Sequence, residues 1–98
     1  MDRESKLRII ANHYGYDHQL NKLVEEIGEV LIEISKYKAA QDIVDAYDAV
    51  VRLEKELADV EVLIMQLKIL GDAEHVEETI DYKIQRQIER MEKEIGTC

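Results

Sequence analysis

EEIGEVLIEI at residues 25–34 and KELADVEVLI at residues 55–64 set acids, apolar positions and a small residue in nearly the same order, thirty residues apart. Shifting the second stretch back by thirty aligns Glu26 with Glu56, Ile27 with Leu57, Gly28 with Ala58, Glu29 with Asp59, Val30 with Val60 and Ile34 with Ile64. Successive residues of an α-helix turn by about 100°. Glu26 and Glu56 then fall directly beside an apolar stripe, with Glu29 and Asp59 one turn further on and slightly outward. Gly28 and Ala58 are small enough to admit a neighbouring helix. Packed face to face, two such helices would bring four carboxylates together on the rim of a core.

The rest of the chain also reads as helix. The 98 residues suit a single domain spanning 1–98, with 46% apolar and 36% charged residues and no Pro, Trp or Phe. A sequence rich in Leu, Ile, Glu and Lys and short of breakers favours helices. Three of its glycines, Gly15, Gly71 and Gly96, read as helix ends. A first short helix is expected from about Glu4 to His13. After the NHYGYD turn, Asp17 is expected to cap a second helix carrying Leu20, Leu23, Val24, Ile27, Val30, Leu31 and Ile34 as its apolar stripe. A turn is placed near residues 37–42, with Asp42 as the next cap. The third helix carries Val50, Leu53, Leu57, Val60, Ile64 and Leu67 and stops at Gly71. The fourth runs from a cap at Asp72 to about Ile95 with Ile80, Ile84, Ile88, Met91 and Ile95 on one face, and Gly96 closes it.

The expected fold is therefore all-α, of four-helix-bundle type. VEVLIMQLKIL, residues 60–70, is apolar almost all round, more than one layer of neighbours covers. A subunit interface is expected, giving a homodimer or homotetramer.

The formal charge of −9 argues against a general nucleic-acid binder, which needs a basic face for phosphates. A phosphorylated ligand remains compatible if a divalent cation stands between the two sets of negative charge. No apolar run is long enough to span a bilayer, so no membrane association is expected. The opening MDRESKLRII lacks a signal pattern. Cys98 is the only cysteine, so no intrachain disulfide can form, and a reducing, cytoplasmic location is the expectation.

Like charges a few ångströms apart in a partly dry setting either take up protons or recruit a cation. Residues i and i+3 face the same way on a helix, so ExxE and ExxD form two-ligand arms. Mg²⁺ or Mn²⁺ prefers such oxygen donors, and the lack of His in the arms disfavours zinc or iron. Against this stands a plainer reading, in which the acids of a chain with 22 Asp and Glu form solvated faces. The protein would then be a non-enzymatic, acidic helical oligomerisation or interaction module.

Glu25-Glu26-x-x-Glu29, followed after 26 residues by Glu56-x-x-Asp59, resembles the EExxE…ExxD signature of the all-α nucleoside triphosphate pyrophosphohydrolases. This MazG-like superfamily includes dimeric dUTPases, dCTP pyrophosphatases and phosphoribosyl-ATP pyrophosphohydrolases. HQLNKLVEEIGEVLIEISKY and ELADVEVLIMQL resemble the surroundings of its two motifs, and the resemblance covers residues 12–92 or so. It implies that Glu26, Glu29, Glu56 and Asp59 hold Mg²⁺, with Mn²⁺ as a substitute. Glu25, with Glu26, would act in catalysis by positioning or activating the attacking water. The implied reaction cleaves the α–β phosphoanhydride of a (d)NTP to give a monophosphate and pyrophosphate, a house-cleaning activity on the nucleotide pool. Gln19, Lys22, Lys83 and Arg86 are the expected substrate-binding residues. Arg90 reads equally as a surface residue paired with Glu78 or Glu89. The chain departs from the family at Gln87, where relatives carry Asn, and at Lys55, where many carry an acid. Tyr14 reads either as a base-stacking or a packing residue, and His13 as a surface residue. Glu61, aligned with Leu31, is expected to face inward, as an extra ligand or an interface residue.

Overall fold

The computed structural model describes residues 1–96; Cys98 lies outside them. Four helices follow one another: α1 (Arg3–Tyr14), α2 (Tyr16–Ala39), α3 (Ile43–Leu70) and α4 (Ala73–Glu94). No strand occurs among the described residues. The starts of α1, α3 and α4 are set by aspartates whose side chains accept a backbone N–H of the first turn: Asp2 from Ser5, Asp42 from Asp45 and Asp72 from His75. Such caps satisfy donors that a helix cannot pair internally.

The start of α2 differs from the expectation. Asp17 is not its cap but lies within its first turn. Gly15 alone separates α1 from α2, at φ 86, and its N–H donates to the Ala11 carbonyl at 2.8 Å. This left-handed conformation suits glycine. A one-residue break leaves no room for a side-chain cap further along, so Asp17 contributes only favourable charge at the positive end of the helix. The turn between α2 and α3 falls at residues 40–42, inside the expected interval, and α3 stops at Gly71 as expected.

α2 and α3 form an antiparallel hairpin, the most extensive packing in the chain, and α1 lies mainly against α3. Among the described residues the buried apolar side chains are few: Ala11, Ala49 and Leu63. Alongside them the hairpin buries Gln19, Glu33 and Gln66. Gln19, Glu26 and Glu33 are spaced by seven residues on α2, as are Arg52, Asp59 and Gln66 on α3. Seven residues are close to two helical turns, so each set runs along one line of its helix.

α4 packs against α3 alone, next to the turn that joins them, where Lys68 pairs with Glu77. It buries no residue, and Ile80, Ile84, Ile88, Met91 and Ile95 stay exposed. The radius of gyration, 17.4 Å, exceeds the ~13 Å of a compact chain of this length. The apolar face of α4 is thus not covered by the other helices of its own chain.

Candidate functional site

The inward line of α2 is entirely polar, and each of its members meets a partner across the hairpin. At the end near α1, Gln19 Nε2 donates to Gln66 Oε1 at 2.7 Å. At the end near the α2–α3 turn, Arg52 Nε donates to Glu33 Oε2 at 2.8 Å, and Lys36 Nζ approaches Glu33 Oε1 at 3.5 Å. The Arg52 hydrogen bond, helped by the Lys36 charge, holds the Glu33 carboxyl below its ordinary value of 4.5 despite burial. Both outer rungs are internally compensated.

The middle rung is compensated only in part. Glu26, Glu56 and Asp59 bring one carboxylate oxygen each to within 4.8 Å of one another. Glu56 lies on the line of α3 that also holds buried Ala49 and Leu63, at seven-residue steps. This placement removes water from it. Burial, foremost, and then the hydrogen bond and charge of Glu26, with the charges of Asp59 and Glu29, push the Glu56 carboxyl above 4.5. Three acids from two helices share one small volume, and the single cation that reaches them among the described residues, Lys22, pairs only with Glu26, at 3.8 Å, from the lip. That donor set, all oxygen and partly dehydrated, fits a hard divalent ion such as Mg²⁺ or Mn²⁺.

Glu29 is exposed and stands outside the three-oxygen cluster, though its charge is felt at Glu56. Glu25 is also exposed and points to Lys22, whose Nζ lies 3.2 Å from Glu25 Oε2 and 3.8 Å from Glu26 Oε1. The Glu25 hydrogen bond and charge, then the charges of Glu26 and Asp59, raise the Lys22 ammonium above its ordinary value. Lys22 therefore stays a cation at the lip of the acidic cluster.

A cleft of about 580 Å³ opens beside these groups, lined by Glu25, Glu26, Asp59, Lys22, Gln19 and Gln66 together with Tyr14, His18, Asn21, Val62 and Leu63. Its size falls in the ~300–1,000 Å³ range of small-molecule sites. Tyr14 and His18 stack with ring centroids 4.7 Å apart and planes at 20°. His13 meets the edge of Tyr14 but does not line the cleft.

Several expected placements are corrected. Lys83 and Arg86 are exposed on α4, which touches neither α1 nor α2, so the chain does not bring them to the acids of its own hairpin. Glu61 is exposed and outside the cluster, because two residues beyond Asp59 a helix has turned by about 200° away from the seam. Its counterpart Leu31 is exposed as well. Gly28 admits no close neighbour within the chain: a Cβ there would meet nothing within 4 Å. The close approaches are made at Ala11 and Ala49.

Gln66 and His18 were not singled out by the sequence. The signal for Gln66 was present, since it follows Asp59 by seven residues as Gln19 precedes Glu26 by seven. For His18 nothing in the spacing pointed to the cleft.

The fold and site together define an all-helical chain with an acidic cluster at the seam of a helical hairpin. Compared with protein-family models, with curated proteins and with solved structures, the chain matches none.

Proposed function

We propose that the protein is a Mg²⁺-dependent nucleoside triphosphate pyrophosphohydrolase of the MazG-like, four-helix-bundle kind, acting as a homodimer or homotetramer. The observation that carries this reading is the middle rung, where three acids converge and, among the described residues, only Lys22, at the lip, offsets their charge. Glu26, Glu56 and Asp59 lie within 4.8 Å of one another at the edge of a cleft, between two rungs whose polar groups are paired. A seam of buried polar groups stabilises a hairpin less than apolar packing would, and three converging acids oppose folding outright. Ligand binding accounts for such an arrangement where stability does not.

Glu26, Glu56 and Asp59, with Glu29 close by, would hold the cation. Bound there, Mg²⁺ or Mn²⁺ would neutralise phosphate charge and make water a better nucleophile at neutral pH. Glu25, exposed at the cleft and paired with Lys22, would orient a water molecule and take its proton. Water adds across the α–β anhydride, the bridging P–O bond breaks, and a monophosphate and pyrophosphate leave. Lys22 is the cation that this chain itself offers to the phosphates.

Lys83 and Arg86 would serve from the α4 of a second copy. The uncovered Ile80, Ile84, Ile88 and Met91 favour that assembly, since burying them completes a bundle that one chain leaves open. The same exposed face also favours the rival reading, a purely associative helical module. A panel of (d)NTPs with Mg²⁺ or Mn²⁺ and a pyrophosphate readout separates the two. The hydrolase reading requires release from at least one nucleotide and its loss in Glu26→Gln. A folded protein inactive on the whole panel leaves the associative module.

A further inference from the structure

The end of the cleft opposite the acids carries a hydrogen-bond chain that the proposed reaction does not use. His18 Nδ1 lies 2.8 Å from Gln19 Oε1, and Gln19 Nε2 donates to Gln66 Oε1 at 2.7 Å. An amide oxygen only accepts, so His18 carries its proton on Nδ1 and donates it. The direction of the chain is then set at each link, and Gln66 is left with its Nε2 amino group at the far end. Gln66 is only 2% exposed, yet it lines the cleft. Among the described residues nothing accepts from its Nε2, and no fully buried side-chain polar atom lacks a partner. The amino group is therefore not fully enclosed, and the cleft that Gln66 lines is where it can meet an acceptor.

A donor held in this way rejects another donor and favours an acceptor, because a buried amide left facing an amino group is costly. Gln66 stands two turns from Asp59, about 10 Å along α3 at 1.5 Å per residue. A nucleoside spans a comparable distance between the far edge of its base and its 5′ phosphates. The stacked Tyr14–His18 pair lines the same cleft and offers flat surface to a planar ring.

We propose that the cleft selects nucleotides whose base turns a carbonyl oxygen, and not an amino group, toward the Gln66 amide: uracil or hypoxanthine over cytosine or adenine. This rests on the reading of the cleft as a nucleotide site. His18 and Gln19 are positioning residues, and Gln66 is the group that touches the base.

The test uses monophosphates, which are products and are not cleaved. UMP is compared with CMP and IMP with AMP, by calorimetric titration of the full chain in Mg²⁺ buffer. The expected result is about tenfold tighter binding of the carbonyl member of each pair, equivalent to ~1.4 kcal/mol. Gln66→Met, with no hydrogen-bonding group, is expected to fold and to abolish the preference. Equal affinities within each pair, a preference for the amino member, selectivity retained in Gln66→Met, or binding of no monophosphate would each overturn the proposal. Selective binding without pyrophosphate release from triphosphates would overturn the hydrolase reading alone. Hydrolysis without selectivity would overturn this inference alone.

Discussion

Glu26 and Asp59 face each other across the α2–α3 hairpin at the same level, seven residues from the Gln19–Gln66 hydrogen bond on one side and from the Glu33–Arg52 ion pair on the other. With Glu56 beside them they form the one rung of this seam in which like charges meet. The stability and the ligand affinity of the protein are both expected to depend on that rung, in opposite directions.

Divalent metal is expected to raise the thermal midpoint. Binding at a hundred times Kd stabilises by about 2.7 kcal/mol, and in a chain of this length each kcal/mol moves Tm by roughly 4–8 °C. Glu56→Gln removes one of the repelling charges. Its metal-free Tm is expected to lie above that of the wild type, with the Mg²⁺ response lost and hydrolysis reduced by about ten- to a hundredfold. Differential scanning fluorimetry with and without Mg²⁺ checks both signs at once. A variant that melts lower without metal and still responds to it would contradict the assignment.

Acid stability is expected to be governed at the other end of the seam. The Glu33 carboxyl is held below 4.5 by Arg52. A lowered acid binds fewer protons in the folded than in the unfolded state, so its contribution is present above pH 4.5 and is lost as pH falls through the folded value. Arg52→Gln removes the largest cause and leaves the nearby Lys36 to act against burial, which shrinks the shift. Following Tm from pH 7 down to pH 3, the wild type should lose stability more steeply below 4.5 than Arg52→Gln. Parallel curves would show that the ion pair contributes nothing.

The exposed face of α4 is expected to be an assembly surface. Sedimentation should give a multiple of the 11.4 kDa chain mass. Ile84→Asp with Ile88→Asp should lower that multiple while leaving the helical signal in circular dichroism largely intact, because α4 buries nothing in its own chain. A wild type that sediments as a monomer would remove the role given to Lys83 and Arg86.

Gly28 offers a smaller check. It lies mid-helix with open space around an added Cβ. Gly28→Ala is expected to stabilise by about 0.5–1 kcal/mol through helix propensity alone. A fall in Tm would mean that another element packs there in the assembled protein.

The helices were legible because their signals are local: aspartate caps at residues 42 and 72, a glycine stop at 71, and apolar stripes at helical spacing. Asp17 misled because a polar residue after a glycine looks like a cap wherever the break happens to fall. The pairing of acids was found through a direct thirty-residue shift. An antiparallel hairpin, however, sets Glu26 opposite Asp59, so the two helices run past each other and are not repeats side by side. Glu61 turns out exposed for a different reason: Leu31, with which it aligns, was read as facing inward and is itself exposed. Sequence spacing carries direction around one helix but not the register between two. The register is set by the length of the α2–α3 turn, and the seven-residue polar line from Gln19 to Glu33 becomes readable as a seam only once that turn is placed. The position of α4 was not legible at all, because an apolar stripe specifies that something covers it without specifying which chain supplies the cover.

The most direct test of the central claim is phosphorus NMR of a nucleoside triphosphate incubated with the protein and Mg²⁺, beside Glu26→Gln. The account predicts equal amounts of nucleoside monophosphate and pyrophosphate from the wild type and unchanged triphosphate from the variant. Diphosphate with orthophosphate, identical products from both proteins, or intact triphosphate across all bases would contradict it.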